Sequence, residues 1–316
     1  MSIGLLREFK LIQIHYRVVL MEYNIGFKGL FKIEAVKIVD GKEVSRRVLA
    51  DWFPNLITDL GLNRIATAQD YLTYCQVGSS NNAPANGDTA LGNRIAGTYT
   101  AVSIVTGTQS STPYYAWVRK TYRFAEGVAT GNLSEIGVGY ALSGSLFSRA
   151  LILDIGGNPT TITVLADETL DVVYEFRWYP KLTDDTGTVT LTGNIGGTYD
   201  WTIRLANATN GSGYGVVSAI TFEPIIPCSG ALAAITTCPS GAGNSGSAAA
   251  ETYVPGSYEK YYNVTFGLSS GNFAGGIASC YGYAGAKYVQ VGFSPAIPKT
   301  SNDVVTLRFK TTWGRY

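Results

Sequence analysis

The residues of this chain that could carry chemistry are few and poorly placed for it. Carboxylate pairs stand at Asp167/Glu168 and Asp184/Asp185, and two facing carboxyl groups are enough for glycoside hydrolysis. Neighbours in a strand, however, point to opposite faces, and acids in turns are ordinarily solvated. The single histidine, His15, would have to meet a nucleophile to act as a base, and one imidazole builds no histidine-based zinc site. Gly241, Gly243 and Gly246 spell G-x-G-x-x-G, a spacing that cradles a pyrophosphate only between a strand and a helix. Here it follows Cys238-Pro239-Ser240 inside a tract of small residues. The oxygen-rich loops at Asn86-Gly87-Asp88 and Asp184-Asp185 suit calcium in donor type but lack EF-hand spacing. The expectation is a protein that is not an enzyme, with no catalytic residues, no cofactor and no metal site.

Tyrosine is the more informative residue type. Tyr258, Tyr261, Tyr262, Tyr281, Tyr283 and Tyr288 crowd the last quarter of the chain among glycines. Rings on Gly-rich loops grip sugars or partner proteins, because tyrosine offers a wide face and a hydroxyl at small entropic cost. The competing reading is that about half of them fill the core or cover sheet edges. Tyr258, Tyr261, Tyr262, Tyr281 and Tyr283 are the contact candidates.

The elements that must position these side chains are strands. The stretch from Gly131 to Pro180 contains three strand-like runs, Ser145 to Ile155, Thr160 to Ala166 and Leu170 to Trp178, separated by turn residues such as Gly156-Gly157-Asn158-Pro159. In the last run Leu170, Val172, Tyr174, Phe176 and Trp178 share one face. Asp171, Glu175 and Arg177 take the other, with Val173 as the exception, so one side reads as greasy and one as wet. Further strands are expected at Leu30–Val39 and Lys42–Leu49 around the hairpin signal Asp40-Gly41. Others are expected at residues 71–77, 114–124, 188–191, 199–205, 261–268, 287–293 and 303–313. Asn55 is a candidate cap for a short helix over Leu56, Leu60 and Ile65, with Gly61 as its C-cap. Asp88 is placed to cap one helical turn over Thr89-Ala90-Leu91.

Bulk composition agrees with many short strands. Of 316 residues, 46% are hydrophobic and only 15% charged, against ~25% charged in an ordinary soluble domain. Such balance suits a surface covered by partners. The net charge of +1 offers no electrostatic case for nucleic acid or an acidic membrane. No run approaches the ~20 apolar residues that span a bilayer, and the charged N-terminus reads as no signal peptide. A soluble product made in a reducing cytoplasm is expected. Cys75, Cys228, Cys238 and Cys280 make no C-x-x-C pair; both a Cys228–Cys238 disulfide loop and idle thiols fit the spacing.

These elements add up to an all-β fold with little helix: two antiparallel, jelly-roll-like β-sandwich domains, since no blade-length repeat favours a propeller. Residues 1–24 read as an N-terminal arm suited to docking on a neighbouring subunit, with Met21 as an alternative start. Residues 25–180 read as an anchoring sandwich, and 181–316 as a second β domain entered through the polar linker Lys181–Gly187.

Three segments carry a resemblance. NLITDLGLNRIA (Asn55 to Ala66) followed by VGSSNNAPANGDTALG (Val77 to Gly92) resembles the opening of a class of accessory virion structural proteins of tailed bacteriophages. SEIGVG, LFSRALI and ITVLADETLDVVYEFRWYP, within Ser134 to Pro180, resemble the middle of that class. FSPAIPKTSNDVVTLRFKTTWGRY (Phe293 to Tyr316) is similar to its ending. The motifs are structural and carry no active site. The resemblance implies a tail-fibre, neck-collar or head-fibre component of the virion, assembled in the host bacterial cytoplasm. Its expected partners are further copies of itself and other virion proteins, with recognition of a host surface glycan as the alternative role and no nucleic acid or membrane.

Overall fold

The computed structural model of the chain describes residues 13–210, 220 and 225–316. The chain is mostly strand. The first strands are β1 (Gln13–Val39), β2 (Lys42–Pro54) and β3 (Leu56–Ile57), then the helix α1 (Asp59–Ile65), then β4 (Tyr74–Gly78), β5 (Arg94–Thr98), β6 (Ala101–Gln109) and β7 (Tyr115–Phe124). Next come β8 (Gly131–Leu133), β9 (Glu135–Gly139), β10 (Leu146–Leu151), β11 (Ile162–Val164), β12 (Thr169–Pro180), β13 (Asp185–Leu191) and β14 (Gly197–Ala206). The last are β15 (Ile226–Cys228), β16 (Ser247–Ala250), β17 (Glu259–Phe266), β18 (Ile277–Ala284), β19 (Lys287–Ile297) and β20 (Asp303–Arg315).

The largest sheet runs β16-β17-β20-β1-β12-β7-β6, with β2 added along the C-terminal half of β1. Two five-stranded sheets, β3-β10-β9-β4-β5 and β13-β14-β19-β18-β15, accompany it, with β11-β8 as a small ribbon. Alternation decides which side is buried. Phe27, Phe31, Tyr174, Phe176 and Phe309 sit on the covered face of the large sheet, where Tyr71 and Phe147 meet Phe176 edge-on at ring distances of 5.9 and 5.2 Å. The hairpin between β18 and β19 brings Gly285 against the Trp178 indole.

Several expectations change here. The strand expected from Leu30 begins at Gln13, and β1 pairs with β20 in parallel register from Gln13↔Asp303 to Phe27↔Arg315. Residues 13–24 are thus part of this chain's own sheet rather than an arm for a neighbour, with Met21 and Tyr23 buried; residues 1–12 lie outside the described residues. That pairing is parallel within an otherwise antiparallel sheet, because the two chain ends run side by side after a long excursion. The division placed at residue 180 is not a break in the sheets: β1, β7 and β12 share the large sheet with β16, β17 and β20. The supposed linker also shortens, since β13 starts at Asp185, whose carboxylate meets Lys181 at 2.5 Å.

Helix α1 starts three residues later than expected. Thr58 caps it, its hydroxyl accepting from Gly61 N at 2.9 Å, and Gly61 lies inside the helix rather than at its end. A side chain at Gly61 would collide with the Phe147 carbonyl of β10, so the glycine serves close packing. The turn foreseen after Asp88 is not helical. Its carboxylate instead accepts from Ala85 N at 2.9 Å and pairs with Arg149 at 2.6 Å.

Candidate functional site

The greasy face of β12 is buried as its pattern requires, but its polar face is not open to water either. Asp171 and Glu175 are almost fully covered. Arg46 and Arg123 close over Asp171 at 3.2 and 2.6 Å, and Arg119 and Arg177 over Glu175. Long guanidinium arms from β2, β7 and β12 itself roof the acids, so this part of the sheet's outer surface is rich in arginine and aromatic side chains.

That surface is continuous. The Arg119 guanidinium lies 5.1 Å from the Trp52 ring and 5.0 Å from the Trp117 ring. Arg177 lies 4.7 Å from the Tyr115 ring, which is 5.0 Å from Tyr179, which in turn stacks on Tyr316 at 3.8 Å and 6°. Glu175 joins the two groups, accepting from Arg119 Nε at 2.9 Å and Arg177 Nε at 2.6 Å. Trp52 is 40% exposed and Tyr316 65%. Gly107 of β6 has no side chain because the Trp117 indole lies across it.

The second feature is an edge. β6 ends the large sheet, hydrogen-bonded only to β7. Its first five residues, Ala101 to Val105, are exposed on both faces, with Val102, Ile104 and Val105 each about half exposed. It holds neither charge nor proline, and its one edge-blunting feature is a register shift against β7 between Ala101 and Ser103. At the opposite side the β1–β2 hairpin, turning at Asp40-Gly41, also stands clear, with Val39, Val44 and Val48 exposed.

The candidate tyrosines do not converge. Tyr258, Tyr261 and Tyr262 lie on or beside β17 in the large sheet, whereas Tyr281 and Tyr283 belong to β18 in a different sheet. Tyr262 is buried, its hydroxyl donating to the Ile220 carbonyl. Tyr258 packs on the core, and Tyr261 lies under Arg308 at 4.1 Å with its hydroxyl on Glu259. Tyr283 stacks on Tyr288 at 3.7 Å, with Tyr281 at the edge of the same ring.

The other sequence candidates are occupied by structural partners. Asp167 meets Lys37 at 2.6 Å and Glu168 meets Arg47 at 2.6 Å, each held below the ordinary carboxylate range by its own cation. Asp184 is bound by Arg204 and Asp185 by Lys181, leaving no facing carboxyl pair at either position. Gly243 and Gly246 donate to the carbonyls of Pro227 and Ile225, so the glycine-spaced segment is a sheet margin rather than a phosphate cradle. His15 pairs through its backbone with Val305. All four cysteines are free thiols. Among the described residues no helix is long and apolar enough to cross a membrane.

Sequence reasoning missed both surface features. The run AVSIVTGTQ carries enough β-branched residues to have been read as a strand. The Trp52–Arg119–Trp117 array brings Trp52 of β2 to Trp117 and Arg119 of β7, a long-range meeting with no local signature. Comparison of the chain with protein-family models, curated proteins and solved structures finds no match.

Proposed function

We propose that this chain is a structural component of a tailed-phage virion, acting through protein–protein assembly rather than catalysis. The observation that carries the assembly part is β6: an uncharged edge strand, paired on one side only, with apolar side chains exposed on both faces. Such an edge is completed by another strand. The occupant we assign is a second copy of the chain, whose low charge presents little repulsion between copies. The three segments that resemble phage virion proteins supply the virion part. In this reading the sheets form two sandwich-like halves sharing the large sheet, and the protein belongs to the tail, neck or collar, or to a capsid-surface fibre.

The test is immunogold labelling of intact particles with an antibody against residues 181–316, beside denaturing gels of purified virions. Gold at the neck or tail supports the tail-apparatus assignment; gold over the head moves the protein to a capsid fibre. Absence of the protein from purified particles removes the virion reading altogether.

A further inference from the structure

We infer that the outer face of the large sheet, centred on Trp52, Arg119, Trp117, Arg177 and Lys28, is a binding platform for an anionic polysaccharide bearing uronic acid groups. Three observations carry this. First, the platform is broad and aromatic. From β2 to β7 it spans three strand spacings, about 14 Å, enough for a short stretch of sugar rings, whose C–H faces pack on indole and phenol.

Second, its charge is unbalanced in a way the fold does not need. Lys28 of β1 stands directly opposite Arg177 of β12, and like charges directly opposed in an antiparallel pair are destabilising. Arg119 and Arg177 share the single carboxylate of Glu175, which accepts from both. Lys28 has no ion-pair partner among the described residues. An added carboxylate would relieve the opposition, and a guanidinium held in place binds it in a fork.

Third, the platform runs into a shallow cavity of about 270 Å³ whose lining includes Gly26, Tyr179, Lys181, Gly314 and Tyr316. There Gly314 leaves its backbone open, while the exposed Tyr316 ring lies over Gly26, which gives a chain end a place to seat. A sugar polymer fits better than a single-stranded nucleic acid. The rings are already stacked on one another or on guanidiniums, leaving single faces rather than slots for bases.

The test is affinity electrophoresis of the full chain through gels containing polygalacturonate, alginate or neutral dextran, with an oligothymidylate titration alongside. Retardation by at least one acidic polymer and not by dextran is expected. Trp52→Ala and Lys28→Glu should each weaken it by about tenfold, Lys28→Glu without lowering the melting temperature because it removes the like-charge opposition to Arg177, and Tyr261→Ala should not weaken it. No retardation by either acidic polymer, equal retardation by dextran, tighter binding of oligothymidylate, or retardation indifferent to both platform variants would each overturn the assignment. The inference stands apart from the virion reading, since particle incorporation and polymer binding are measured separately.

Discussion

Glu135 and Arg149, on the adjacent strands β9 and β10, form a fully buried ion pair, with Arg149 Nη2 and Nε at 2.9 and 3.1 Å from one carboxylate oxygen. The same carboxylate accepts from the backbone N–H of Ser80, Gly92 and Asn93, and Arg149 also reaches Asp88 and the carbonyl of Asn82. One buried pair therefore pins both ends of the long loop between β4 and β5.

Glu135→Gln keeps the shape of that site and removes the charge facing Arg149. Leaving a buried cation partly unpaired typically costs 3–5 kcal/mol, and a loss of about 3 kcal/mol is expected in urea denaturation. Proteolytic cleavage between residues 79 and 93 should accompany it. A loss under about 1 kcal/mol would mean that the pair is solvated and does not hold the loop.

The β6 edge predicts an effect on assembly without one on folding. Ile104→Lys places a charge where a second strand would pair, while a surface change of this kind moves stability by about 0.5 kcal/mol or less. Light scattering coupled to size exclusion should show the wild type as an oligomer and the variant shifted to smaller species. Identical masses would remove β6 from the interface.

Lys287 is fully buried, its ammonium donating to the carbonyls of Ala208 and Asn210 at 2.8 and 2.9 Å and to Thr108 Oγ1 at 3.3 Å. Burial pulls its pKa from the ordinary lysine value down to about 8. The unfolded chain then binds more protons than the folded one between about pH 8 and the ordinary lysine value near 10.5, so stability rises with pH across that window. Relative to Lys287→Met, the wild type should gain melting temperature from pH 8 to 10. Parallel pH profiles for the two proteins would show that the ammonium is not desolvated.

Thiol chemistry should be confined to one position. Cys75, Cys228 and Cys280 are buried and Cys238 is half-buried. Burial raises all four thiols, Cys228 to about 11, and the thiolate is the reacting form. Iodoacetamide at pH 8 should label native protein slowly and at Cys238 alone, and all four after unfolding, as read by intact mass. Rapid labelling of Cys75 or Cys280 would contradict the packing of β4 or β18.

What the sequence determined by itself is the local alternation. The hairpin at Asp40-Gly41, the buried face of β12 and the strands β7, β14, β17, β19 and β20 follow from period-2 patterning and turn residues, which act over a few neighbours. Tertiary structure decided everything that depends on which strand lies beside which. The parallel pairing of Gln13–Phe27 with the C-terminal strand, the covering of Asp171 by Arg46 and Arg123 and of Glu175 by Arg119, and the scattering of the candidate tyrosines over two sheets depend on residues far apart in the chain. Gly61 shows the same limit at short range: its sequence reads as a helix stop, yet it lies mid-helix because the Phe147 carbonyl, 86 residues away along the chain, leaves no room for a side chain. Local pattern sets the strand and its greasy face; the order of strands in the sheet, set by long-range packing, chooses what that face and its opposite meet.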